Sequence, residues 1–143
     1  MESFASWAEL RDWLVASHER LAEHDGGALL TLRVAPDVTL GVRRLEPGAG
    51  AGPWVLLCVK IGPVARLRAF DALTAGFDLP IGHFFEHRGA IGVGQTLPLR
   101  RIDAATVTEV TAALTELTRD LRARFLAGAD EPDDTGPFGH LAE

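Results

Sequence analysis

The sequence predicts an α+β domain with the element order α-β-β-β-α-β-β-α, an antiparallel five-stranded sheet packed by helices. Three observations carry this prediction. Apolar residues recur every three or four positions near both ends of the chain, the spacing of a helix with one buried face. Between those segments lie short apolar runs, some alternating with period two, punctuated by Gly, Pro and Asp clusters that read as turns. Strands in hairpin groups with helices before, between and after them give helices packed on a sheet rather than a series of parallel crossovers.

The first helix opens at Ser6, where Ser6 and Glu9 form a capping box that satisfies free backbone donors. Trp7, Leu10, Leu14 and Leu21 repeat at helical spacing, which predicts a helix running to near His24 and stopped by Asp25-Gly26-Gly27. Three strands are expected over 28–34, 39–46 and 54–61, with a turn at Ala35-Pro36-Asp37 and a Gly/Ala/Pro loop over 47–53. In the third, Trp54, Leu56 and Cys58 face one way and Val55, Leu57, Val59 and Ile61 the other. A strand apolar on both faces belongs in the middle of a sheet covered on both sides.

A short helix is expected over 65–75, with Leu67, Phe70 and Leu73 on one side and Gly76 as its C-terminal glycine. A fourth strand is expected over 81–86, a tight turn at His87-Arg88-Gly89, and a fifth strand over 90–99. On that strand Ile91, Val93, Leu97 and Leu99 point one way, interrupted by Gln95. Gly92 and Gly94 on the other side allow a close approach. Asp103 caps the last helix, whose stripe is Val107, Val110, Leu114, Leu117, Leu121 and Phe125.

The 143 residues suit a single domain over 1–127, followed by an acidic tail over 128–143 that reads as disordered. Of the 20 acidic residues, Asp130, Glu131, Asp133, Asp134 and Glu143 lie in that tail, so the body is close to neutral although the chain carries a formal charge of −6. A near-neutral body argues against nucleic-acid binding, which needs a basic footprint. No apolar run approaches the roughly 20 residues of a membrane span, and the first ten residues do not read as a secretory signal. With a single cysteine, Cys58, no disulfide forms within the chain, and a cytoplasmic location is expected.

No pattern asks for catalysis, and the chain reads as a non-enzyme without cofactor or metal. His83, Glu86 and His87 lie across a strand and its turn and supply fewer than the four ligands usual for structural zinc. Cys58 sits in an apolar run and reads as a small hydrophobe. The segment 48–52 lacks the Lys-Ser or Lys-Thr of a phosphate loop, and Gly89, Gly92 and Gly94 fall within a strand rather than between a strand and a helix. Arg43, Arg44, Arg100 and Arg101 form two basic pairs at strand ends and are expected to face water.

The run Leu79-Pro80-Ile81-Gly82-His83-Phe84-Phe85, then Arg88-Gly89-Ala90-Ile91, then Leu97-Pro98-Leu99 before Asp103 and a long helix resembles the class I type III secretion chaperones and the YbjN-like proteins that share their fold. The element order is similar as well, over about Trp7 to Phe125. The resemblance implies a secretion-chaperone-like homodimer without active site or cofactor, a chaperone or adaptor holding an extended segment of a client protein. It implies a dimer contact through Leu67, Phe70, Leu73, Ile81, Phe84 and Phe85, and partner contact through the first helix and first three strands, at Leu30, Leu32 and Val42. A YbjN-like regulatory or stress-related binding role without a secretion client is the alternative. A small-ligand-binding domain or enzyme, with His83, Glu86 or Arg88 converging on a pocket, is the second.

Overall fold

The computed structural model describes residues 3–46, 52–63, 79 and 81–125. The helix expected over 65–75, with Leu67, Phe70 and Leu73, lies outside the described residues, as does the tail over 128–143. The described elements are α1 (Trp7–Ser17), β1 (Glu19–His24), β2 (Leu29–Ala35), β3 (Val38–Leu45), β4 (Trp54–Pro63), β5 (His83–His87), β6 (Ala90–Pro98) and α2 (Ala104–Phe125). The strands form one six-stranded antiparallel sheet in the order β1-β2-β3-β4-β6-β5. The α+β class stands, with six strands where the sequence predicts five.

The extra strand comes from the first helix, which is shorter than its apolar spacing predicts. The cap forms in a shifted version of the expected box: the Ser6 hydroxyl accepts from Glu9 N–H at 3.2 Å, and the Glu9 carboxylate reaches back to Ala5 N–H, one residue before the cap, at 3.3 Å. At His18 the backbone turns extended (φ −138°, ψ 157°) and Glu19–His24 pairs with β2 instead. Leu21 keeps the helical spacing from Leu14, but pairing supplies partners to the backbone of β2, which otherwise would be a long apolar edge. The Arg11 guanidinium on α1 donates to both carboxylate oxygens of Glu23 on β1, at 2.7 and 2.8 Å, and so fixes the strand against the helix. His18 and His24 therefore do not share a helix. Asp25-Gly26-Gly27, expected as a helix stop, makes the β1–β2 connection, with all three residues at positive φ.

The main core lies between one face of the sheet and the two described helices. β2 and β3 give Leu30, Leu32, Leu40 and Val42; β4 gives Val55, Leu57, Val59 and Ile61. α1 adds Leu10 and Leu14, and α2 adds Val107, Val110, Leu114, Leu117 and Leu121, the stripe its spacing predicts. Asp103 caps α2 as expected, accepting from Thr106 N–H at 2.7 Å; hydrogen bonding from the Thr106 side chain, then from its backbone, holds the carboxyl below the usual range. Among the described residues no helix is long and apolar enough to cross a membrane.

Two details place the β5–β6 hairpin. Arg88 (φ 48°) and Gly89 (φ 82°) form a two-residue turn with both residues left-handed, the geometry that matches strand twist. Gln95, the polar interruption on β6, accepts from Gly82 N–H at 3.0 Å and fastens the approach to β5.

Candidate functional site

β4 is apolar on both faces, as its sequence predicts, and its second face looks away from the main core. Val55, Leu57, Val59 and Ile61 join the main core, whereas Leu56 and Cys58 form a separate cluster with Leu29 and Phe85. Register explains what gathers there. Leu29 pairs with Arg43, Arg43 with Leu56, Gly41 with Cys58, and Cys58 with Gly94. Gly41, Cys58 and Gly94 make a row of small residues across three strands, so the face sinks almost to the backbone between taller neighbours.

Phe85 occupies one end of this depression. A Cβ on Gly92 would lie 2.5 Å from Phe85 Cζ, and one on Gly94 would lie 2.9 Å from Leu56 Cδ1. The two glycines thus seat a phenyl ring and a leucine rather than a helix backbone. What remains is a groove of about 390 Å³ lined by Leu29, Arg43, Leu45, Leu56, Cys58 and Phe85, with Glu86, His87 and Arg88 at its mouth. Its floor is apolar and its mouth carries both signs of charge. Thr31 Oγ1 and Trp54 Nε1, on the same side of the sheet by register, are buried without a hydrogen-bond partner among the described residues.

The Cys58 thiol donates to Gly41 O at 3.3 Å. Burial pushes its pKa well up, against a smaller opposing influence of the Arg43 charge, so the reactive thiolate is disfavoured. The Glu86 carboxylate accepts from Gly89 N–H at 3.1 Å, within the β5–β6 turn. His83 and His87 lie on the same side of β5 but four residues apart, about 13 Å along an extended strand, too far to share one metal ion. Among the described residues no three His, Cys, Asp or Glu side chains are grouped to hold a metal.

The expected contact residues separate. Leu30, Leu32 and Val42 are fully buried beneath the helices, so they are core residues and not a surface that a partner reaches. On those strands it is the neighbours Leu29, Arg43 and Leu45 that line the groove. Ile81 and Phe84 pack against the main core, whereas Phe85 packs against the second cluster, so the three do not share one patch. Arg43 turns to the groove, reaching Asp25 Oδ2 at 3.5 Å, while Arg44 pairs with Glu46 at 2.7 Å.

Sequence reasoning missed Leu29 and Leu45 as groove residues, because only inter-strand register sets them beside Leu56. The signal it had was the doubly apolar β4. No protein-family model matches this chain, and no curated protein matches it.

Proposed function

We propose that the chain is a non-catalytic protein-binding domain, a chaperone or adaptor, that holds an extended segment of a client protein in the groove on the second face of its sheet. The observation that supports this reading is the groove itself: an apolar floor from four strands, deepened by a row of small residues, under a charged mouth. Such a site rewards one or two large apolar side chains and orients the segment by its flanking charges.

The sheet edges favour a face site over strand addition. β1 is interrupted by a bulge near Leu21 and carries Glu19, Arg20, Glu23 and His24, and β5 has only five residues. Bulges, charges and short length are the means by which edges avoid pairing with another chain. The groove volume also lies within the range of about 300–1,000 Å³ typical of small-ligand pockets, with Glu86 and Arg88 converging on it, and an amphiphilic small molecule is the second reading.

The test is recovery of a client by the tagged full chain beside a Leu45→Glu variant, which puts a charge on the half-buried groove wall. A client held by the wild type and lost by a normally folded variant supports the groove; equal recovery by both removes it. The homodimer is tested separately by light scattering, which gives a mass near twice 15.4 kDa for a pair of chains. A strict monomer at high concentration refutes it. A dimer untouched by Phe70→Asp removes the contact that the resemblance implies.

A further inference from the structure

The groove on the second face has one cation rooted in its floor. By register Arg43 stands between Leu29 on β2 and Leu56 on β4, the two leucines of the second cluster. Its side chain is 40% exposed, so a ligand in the groove reaches it from solvent. Its charge is felt at the bottom of the groove, where it opposes the rise in the Cys58 pKa. Nη1 donates to Asp25 Oδ2 at 3.5 Å, beyond the roughly 2.7–3.2 Å usual for such a bond. Nε and Nη2 form the edge that grips a carboxylate with two parallel bonds, and in Arg43 they make no hydrogen bond among the described residues. The same edge of Arg119 does grip a carboxylate, donating to the two oxygens of Asp37 at 3.2 and 3.0 Å.

Arg88 adds a second cation at the mouth, and Glu86 is the anion of the described lining, with one oxygen already accepting from Gly89 N–H. Because Arg43 sits between two leucines, a ligand that suits both presents an anion and an apolar group side by side. An internal stretch of extended chain does not. Its neighbouring side chains point to opposite sides, and the next one on the same side lies about 7 Å away. A C-terminal residue does, because it carries its side chain and its carboxylate on one carbon. Phe85 closes one end of the depression, which favours the end of a chain over a segment that runs through.

We propose that the groove captures the free C-terminus of a client chain, the carboxylate on Nε and Nη2 of Arg43 and the last, apolar side chain against the half-buried Leu45, Leu56 and Phe85. This rests on the groove being the client site, and it names the part of the client that enters.

Amide NMR titration of the full chain tests it with three probes: a short glycine-serine peptide ending in leucine with a free carboxylate, the same peptide as its C-terminal amide, and octanoate. Saturable shifts at Arg43, Leu45, Leu56 and Phe85, with the free acid bound at least about tenfold more tightly than the amide, support the proposal whether or not octanoate also binds. Tenfold is the scale of one hydrogen bond to a charged group. Arg43→Gln is expected to abolish the preference by weakening the acid while leaving the amide unchanged, and Arg43→Lys to restore it in part, keeping the charge without the fork. Equal affinity for acid and amide, or a preference that survives in the folded Arg43→Gln variant, overturns the C-terminal assignment and leaves the client groove standing. Binding of octanoate alone overturns it in favour of an amphiphilic small molecule. No binding of any probe also overturns it, and client recovery with Leu45→Glu then judges the groove by itself.

Discussion

Arg122 joins the last helix to the sheet at a corner where strand pairing fails, and removing it is expected to destabilise the fold. Beyond Val59, β4 has no partner on β3, and a bulge between Lys60 and Gly62 disturbs its pairing with β6. The Arg122 guanidinium fills that corner. It donates to Lys60 O at 2.8 Å, Ile61 O at 3.2 Å and Asp37 O at 2.6 Å. Burial pulls its pKa down while the Asp37 charge raises it, so the group is desolvated but compensated. The two partly buried bonds contribute about 1 kcal/mol each after discounting for solvent, and the exposed one about half that. Arg122→Met keeps most of the aliphatic stem and removes the bonds, so a loss of about 2.5 kcal/mol is expected. For a chain of this size that lowers Tm by about 5–10 °C. Arg122→Lys supplies one compact ammonium in place of a planar fork and recovers less than half of the loss. Urea unfolding of the three proteins checks this, with the m-value unchanged. A Met variant within about 0.5 kcal/mol of wild type would show that water replaces the guanidinium without cost, and the reasoning fails.

Two further outcomes follow from other sites. Gly92→Ala places a Cβ 2.5 Å from Phe85 Cζ and 2.6 Å from Val59 O; the ring can swing away but the backbone oxygen cannot, so a loss of about 1–3 kcal/mol is expected in denaturant, and a neutral result would mean that β6 shifts freely. Asp37 has its pKa lowered from 3.8, chiefly by the Arg119 hydrogen bond. Its folded pKa lies below its unfolded one, so the stability it contributes is present above about pH 4 and is lost as pH falls through the folded value. Asp37→Asn, which leaves the main-chain bond from Arg122 in place, is expected to flatten the fall in stability below pH 4; an unchanged slope refutes the linkage.

Much of the fold was legible because it rests on local chemistry. Ser6, Asp103 and the Arg88-Gly89 pair mark element ends through bonds and dihedrals set within a few residues. The two faces of β4 and the stripe of α2 follow from alternation and spacing alone. Leu21 misled because its distance from Leu14 suits a helix, while the pairing that makes 19–24 a strand is tertiary. The candidate site was less legible. Leu30 and Leu29 differ by one position and lie on opposite faces, and which face is core depends on where the helices land. Leu29 and Phe85 come to one groove only through a register that runs across five strands. Arg122 reads as a solvated helix charge until the corner beneath it is seen.

The position of α2 at the end of the described fold has a consequence for how the protein is made. α1 and strands β1 to β4 emerge from the ribosome before α2, with Leu30, Leu32, Val42 and Leu57 on a face that α1 covers only in part. Until α2 joins it, the nascent sheet presents a partly uncovered apolar surface, the condition under which partly made chains aggregate or recruit folding helpers. Slowing translation between Pro63 and Ala104 prolongs that exposure.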